Sequence, residues 1–167
     1  PDGVYDDPKG GQLREKLYAR LRGHFQFSNE LTWFEEVGNQ ATFSLNFFGP
    51  ARDPDFIHCS NLLHPSTLEE SVVHHGLGPV PGMKDNSGNW RLDGHRHRLI
   101  QVNLELLTLF SRIYDPFGTP ASQAKLPALH SSELAEVLRK IATIPQRFGE
   151  VSGGLYGTEH FHDTNSQ

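Results

Sequence analysis

Histidine and cysteine are the side chains in this sequence whose spacing could hold a metal ion. Zinc takes Cys and His in a tetrahedral shell, usually with short paired spacings. The pairs His74-His75 and His95-Arg96-His97 have such spacing, whereas a single cysteine without a repeated pair favours ordinary surface or hydrogen-bonding histidines. Both interpretations stay open, and the candidate metal ligands are His58, Cys59, His74, His95 and His97.

A basic stretch with a tryptophan is the second candidate site. Residues 76–94 are rich in Gly, Pro, Asn and Asp and predict a loop. Such a loop could contact DNA phosphates, and the alternative is a solvated loop whose tryptophan packs on the core. The chain has 15 Lys and Arg against 20 Asp and Glu, a net charge of −5, so we expect any DNA contact to be local. The candidate DNA-contact residues are Lys84, Trp90, Arg91, Arg96 and Arg98.

Two further charged sets have ordinary explanations. Glu159, His160, His162 and Asp163 resemble a metal or nuclease cluster but belong to a polar tail, where we expect exposure. Arg14, Lys16, Arg20 and Arg22 are expected on the solvated face of an amphipathic helix.

The first fifty residues predict a helix followed by a hairpin. Leu13, Leu17, Tyr18 and Leu21 recur at helical spacing, and Gly23 is expected to end the helix. A strand is expected over residues 24–27, and strict alternation over residues 41–47 predicts its antiparallel partner. The alternating phenylalanines are expected to be core residues of a sheet; they are Phe25, Phe27, Phe43 and Phe47.

Later elements are shorter. Strands are expected within residues 55–63 and 99–102, and a helix over residues 65–75 with a capping box of Ser66 with Glu69 or Thr67 with Glu70. Asn103 is expected to cap a helix over residues 104–114, and Ser131 or Ser132 to cap a last helix that Pro145 stops.

Composition restricts the class of protein. An apolar fraction of 36% and a charged fraction of 21% suit a globular domain. The sequence has no run of about 18 apolar residues, so we expect no membrane span. One cysteine excludes an internal disulfide framework and is compatible with a reducing cytoplasm. A start at Pro1 and a polar end predict a piece of a longer protein.

Several blocks resemble one family, the large adenine-specific DNA methyltransferases of restriction-modification and phage-defence systems. The most specific block is Asp2-Gly3-Val4-Tyr5-Asp6-Asp7-Pro8-Lys9-Gly10-Gly11, followed by Leu13-Arg14. The resemblance continues through residues 21–31, 43–50, 61–67, 78–82 and 126–130, and so touches nearly the whole chain.

The resemblance implies a segment without catalytic residues. In that family, a glycine-rich cofactor motif and an Asn-Pro-Pro-aromatic motif that holds the flipped adenine lie upstream of this region, and neither occurs here. We therefore expect no cofactor in this chain, S-adenosylmethionine in the parent enzyme, and a cytoplasmic location. The implied partners are double-stranded DNA and the rest of the methyltransferase chain, with no membrane.

The implied fold is α/β, or α+β in isolation: the C-terminal part of a doubly wound methyltransferase sheet with an antiparallel hairpin, then a mostly helical, loop-rich extension. Residues 1–50 would end the methyltransferase core as a helix plus hairpin. Residues 51–167 would form a connector leading toward a target-recognition domain. The alternative is a small self-standing interaction or zinc-binding module; an autonomous hydrolase using His and Asp has no positional motif behind it.

Overall fold

The computed structural model describes residues 2–144, which form a four-stranded mixed sheet with helices packed on it. The strands are β1 (Leu21–Ser28), β2 (Thr42–Phe48), β3 (Asp55–Leu62) and β4 (Ile100–Asn103). The α-helices of this range are α1 (Gly11–Tyr18), α2 (Pro65–Val73), α3 (Leu104–Tyr114) and α4 (Ser132–Ala142). The expected α/β class, with an antiparallel hairpin followed by a helical and loop-rich extension, is confirmed.

The sheet has the strand order β2-β1-β3-β4. Strand β1 pairs antiparallel with β2 and parallel with β3, and β4 pairs antiparallel with β3. The pairing of β1 with β3 shifts register between Phe25 and Phe27, and nearby Asn61 has a left-handed φ of 55°. Asparagine tolerates this conformation better than most residues do, so a bulge can form at this point of β3.

One face of the sheet carries the main hydrophobic core. Phe56, Ile100 and Val102 of the sheet pack there with Tyr18 of α1 and with apolar side chains of α3. Leu106, Leu107 and Phe110 of α3 are buried because they recur at helical spacing on the side that faces the sheet.

The opposite face is only partly covered. Phe27 and Cys59 form a small buried cluster with Leu62, and Leu68 of α2 packs against it. Farther along β2, Leu45 and Phe47 are 52% and 57% exposed.

The expectation that all four phenylalanines are core residues is therefore wrong. Phe27 is buried, Phe25 and Phe43 are half-buried, and Phe47 is mostly exposed. The physical reason is that α2 covers this face at the β3 side, away from β2.

The first helix is shorter than expected. It ends at Tyr18, and Gly23 lies inside β1 instead of ending the helix. A Cβ atom on Gly23 would lie 3.1 Å from the Phe25 ring and 3.4 Å from the Phe47 ring. Glycine is thus used here to let two aromatic rings lie across the strand.

The helix caps are partly as expected. The Asn103 side chain accepts a hydrogen bond from the Leu106 amide, which confirms it as the cap of α3. At α2 the expected capping box is replaced by His64, whose Nδ1 accepts from the Ser66 amide, while Pro65 occupies the first turn. Ser131 is the N-cap residue of α4 but makes no side-chain capping bond. Pro145 lies outside the described residues.

The proposed division at residue 50 falls inside a single sheet. Strands β3 and β4 lie beyond that residue, yet β3 pairs directly with β1, which precedes it.

None of the helices within residues 2–144 has the length and apolar character needed to cross a membrane.

Candidate functional site

The basic stretch forms a compact loop with much of its charge already engaged. Lys84 pairs with Trp90 in an isolated antiparallel bridge, and its Nζ lies 4.2 Å from the centroid of the half-buried Trp90 ring. Arg91 donates through Nε to a carboxylate oxygen of Asp93 at 2.8 Å. This ion pair lowers the pKa of Asp93, and Asn89 hydrogen bonds lower the pKa of Asp85.

Arg96 and Arg98 separate although they are two residues apart. Arg96 is exposed and donates to the Val72 carbonyl at the end of α2. Arg98 is 3% exposed and donates to the carbonyls of Ser60 and Asn61 at the β3 bulge. Burial in this apolar surrounding lowers the pKa of the Arg98 guanidinium. Arg98 therefore has a structural role at the β3 bulge, and its selection as a DNA contact stays a prediction.

Three of the candidate metal ligands do come together. The His74 ring lies 4.1 Å from the His95 ring, and His95 lies 5.0 Å from His97, measured between centroids. The ring of neighbouring His75 lies 4.6 Å from that of His74, tilted by 39°. Desolvation first, then the adjacent imidazoles, lower the pKa of His74.

The hydrogen bonds of these rings oppose metal ligation. Nδ1 of His74 accepts from the Gly76 amide, and Nδ1 of His95 accepts from the His97 amide. A neutral histidine that binds a metal through Nε2 carries its proton on Nδ1, where it usually donates to an oxygen. Here that proton would face an amide donor instead. Within residues 2–144, no three His, Cys, Asp or Glu side chains are arranged so that they could hold a metal ion.

His58 and Cys59 belong to a different part of the fold. They are consecutive in β3, so their side chains point to opposite faces of the sheet. His58 Nδ1 lies 2.8 Å from His24 Nδ1 across the parallel β1–β3 pair, with one ring nitrogen donating to the other. Cys59 is fully buried on the other face, and burial raises the pKa of its thiol to about 11. The five candidate ligands therefore do not form one site. The tail set of Glu159, His160, His162 and Asp163 lies outside the described residues.

The Asp-Asp-Pro-Lys-Gly-Gly block, residues 6–11, is held in place by Arg14. Helical spacing predicts this arginine on the solvated side of α1, but the structure buries it. Arg14 is 1% exposed. Its guanidinium donates to the carbonyls of Val4, Asp7 and Gln123 at 3.0, 2.7 and 3.0 Å. A Cβ on Gly10 would lie 2.9 Å from Arg14 Nη1, so glycine is needed where this side chain passes. The block thus has a structural role.

A second feature that the sequence patterns missed is an exposed aromatic loop, residues 29–41, which connects β1 to β2. Its exposed apolar side chains are Leu31, Trp33, Phe34 and Val37. Buried Asn29 orders the loop, since its amide donates to the carbonyls of Phe34 and Val37 and its Oδ1 accepts from the Phe34 amide. Trp33 Nε1 donates to the Leu63 carbonyl at 2.9 Å, and Thr32 has a φ of 54°, unusual for a β-branched residue. The sequence does contain a signal for this loop: four apolar residues lie within seven positions, interspersed with glutamates.

Two surface depressions accompany these features. A groove of about 1150 Å³ lies between α3 and α4 and includes Arg112, Phe117 and Ile141 in its walls. A smaller depression of about 400 Å³ lies where the chain enters β1 and β3. It is lined by Glu15, Lys16, Ala19, Arg20, Ala51, Arg52, Asp53, Pro54 and Ser122.

Comparison with known proteins adds no assignment to this geometry. No protein-family model matches the chain, and no curated protein or solved structure shows significant similarity to it.

Proposed function

We propose that this chain is a non-catalytic segment of an S-adenosylmethionine-dependent DNA adenine-N6 methyltransferase, and that it completes the sheet of the catalytic domain. The resemblance of residues 2–11 and the later blocks to such enzymes motivates the proposal. The structural observation that supports it is strand β2, which lies at the edge of the sheet with exposed apolar side chains, as we would expect of a strand that has neighbours in a larger sheet.

Strand β2 has no charged residue, proline or glycine in its seven positions. Edge strands of natural proteins are usually protected by such residues, because an unprotected edge pairs with other chains. Leu45, Phe47 and Phe48 are also each more than half exposed. A neighbouring strand from the catalytic domain would pair with this edge. Helices on both faces of the sheet would bury these side chains, as in a doubly wound sheet.

Because Arg98 is buried, the residues of this loop that could contact DNA are Lys84, Arg91 and Arg96, which surround Trp90. Asp85 and Asp93 lie within the same stretch and offset part of its charge. We therefore expect only weak, salt-sensitive binding of duplex DNA. The zinc-module alternative gains no support from the described residues. Nδ1 of His74 and Nδ1 of His95 each accept an amide hydrogen, so the ring proton lies on Nε2, the nitrogen that would have to bind a metal.

The proposal predicts that this chain alone neither binds the methyl donor nor transfers its methyl group. Isothermal titration with S-adenosylmethionine should show no saturable heat in the micromolar range, and a duplex containing adenine should remain unmethylated. Micromolar binding of the methyl donor or measurable adenine methylation would overturn the proposal.

A pair of variants tests the assignment of the exposed face. Phe47→Ser should change the free energy of unfolding of this chain little, because the ring is already mostly in water. Phe27→Ser should cost about 3–5 kcal/mol, because Phe27 is buried on the same face. A large cost for Phe47→Ser in the isolated chain would mean that its ring already has its full set of contacts, contrary to the proposal.

A further inference from the structure

Histidine side chains accept hydrogen bonds from backbone amides at four places in residues 64–97. In each case Nδ1 accepts from the amide two positions ahead, at a distance between 2.9 and 3.2 Å. Asparagine and aspartate commonly make this local bond in turns. Histidine differs because the accepting nitrogen can itself bind a proton near neutral pH. The four pairs are His64 with Ser66, His74 with Gly76, His75 with Leu77, and His95 with His97.

Three of these histidines gather where the end of α2 meets the short 3-10 helix Arg96–Arg98. His74 directly follows α2, and His95 is the N-cap residue of the 3-10 helix. Their ring centroids lie 4.1 Å apart, and the His75 ring lies 4.6 Å from that of His74. His95 is 2% exposed, and its amide donates to the Ser71 hydroxyl of α2. The contact between the two helices is therefore built around imidazole rings.

Protonation of these rings is incompatible with the observed contact. A protonated Nδ1 has no free lone pair, so it cannot accept the amide hydrogen that it accepts here. Two charged rings at the His74–His95 distance would also repel each other, most strongly where water is excluded. The pKa of His74 is lowered by desolvation first and then by His95, which agrees with this argument. Acid therefore favours a state in which the rings have separated.

Charged groups around the cluster decide which rings take part. Arg96 donates to the Val72 carbonyl at the end of α2, and its charge opposes protonation of the neighbouring rings. Glu133 of α4 lies 3.7 Å from Nδ1 of His97 and attracts a proton to that ring, so His97 is left out of the releasing set. The other charged groups are already engaged: Glu70 with the Gly94 amide, Asp93 with Arg91, and Arg98 with the carbonyls of Ser60 and Asn61.

We propose that His74, His75 and His95 form a pH-sensitive latch between the end of α2 and the 3-10 helix. The latch is closed while the rings are neutral, and it opens when they bind protons, between about pH 6.5 and about pH 5. Opening breaks three amide hydrogen bonds and separates the His74 and His95 rings. The latch is independent of the proposed methyltransferase function.

Amide hydrogen exchange followed by NMR at about pH 7 and about pH 5 tests the latch, with each rate divided by the intrinsic rate at that pH. Protection of the His97 amide should fall at least about tenfold, because the neutral fraction of an imidazole falls about tenfold per pH unit below its pKa. Protection of the Gly76 and Leu77 amides should fall in the same range. The Leu106 amide is the internal control, because Asn103 Oδ1, its acceptor, does not titrate.

Unchanged protection of the His97 amide would overturn the proposal. An equal loss of protection at the Leu106 amide would also overturn it, since that result means global unfolding and not a local opening.

Asparagine variants separate the proton from the hydrogen bond. Asparagine can accept from the amide two positions ahead, but it binds no proton in this range. The variant His74→Asn/His75→Asn/His95→Asn should show the same protection at both pH values, and a surviving pH dependence would contradict the latch. His64→Asn, at the other end of α2, is the matched control and should leave the pH dependence unchanged.

A single variant keeps the test valid if the triple variant does not fold. His75 is exposed, so His75→Asn should leave the fold intact. It should remove the pH dependence at the Leu77 amide and leave that of the His97 amide. Persistence of the pH dependence at the Leu77 amide would mean that His75 does not act through its hydrogen bond, contrary to the proposal.

Discussion

Replacing Arg14 by alanine is expected to lower the free energy of unfolding by about 3–5 kcal/mol, because three backbone carbonyls would lose their hydrogen bonds from a charged donor. The guanidinium is 1% exposed and donates to three backbone carbonyls, those of Val4, Asp7 and Gln123. Hydrogen bonds from a charged group contribute about 1.5–3 kcal/mol each. The cost of burying the cation, which the variant no longer bears, keeps the loss below the sum of three such bonds.

Urea unfolding followed by far-ultraviolet circular dichroism measures this loss. A domain of this size has a total stability of about 5–15 kcal/mol, so the midpoint should move substantially. Arg14→Lys should lose less than Arg14→Ala, because a lysine ammonium keeps the charge but cannot reach all three carbonyls. Lys16→Ala, at a position with an 82% exposed side chain on the same helix, should change stability by less than about 0.5 kcal/mol. A loss under about 1 kcal/mol for Arg14→Ala would refute the structural role of this residue.

Three further predictions concern the packing and titration of buried groups. Gly94→Ala should destabilise the chain by about 1–3 kcal/mol in urea unfolding, because a Cβ there would lie 2.4 Å from Glu70 Cβ and 2.5 Å from the Ser71 amide; Gly38→Ala, with open space around it, is the control. Cys59 should react with a thiol reagent at pH 8 only after unfolding, because it is buried and its thiol pKa is raised to about 11, and rapid labelling of the folded chain would contradict its placement. Desolvation lowers the pKa of His130 below 6.5, so the unfolded chain takes up this proton first and stability should fall as pH drops below 6.5; His130→Gln should flatten that part of the stability profile.

Local patterns predicted the elements that depend on residues close together in the sequence. Alternation in β2 and the Asn103 cap before α3 were readable because each depends on neighbours within a few residues. Gly23 misled the interpretation because a glycine after a helical pattern usually ends a helix, whereas here it makes room for the rings of Phe25 and Phe47.

The site residues were harder to predict because their environment is set by distant segments. Helical spacing placed Arg14 on the solvated side, and only the docking of residues 4–7 and Gln123 buries it. Arg98 is likewise buried by a bulge in β3, an element some forty positions earlier. One feature of the candidate metal site could have been predicted from the sequence. Consecutive residues of a strand face opposite sides of the sheet, so His58 and Cys59 could not bind the same metal ion.

The most direct test of the account is amide hydrogen exchange of β2. The proposal treats this strand as internal to a larger sheet, so in the isolated chain the β2 amides that do not bond to β1 should exchange rapidly. In the longer methyltransferase that the proposal implies, the same amides should become strongly protected, because a strand from the catalytic domain pairs with them. Equal exchange of these amides in both proteins would contradict the claim that this chain completes the catalytic sheet.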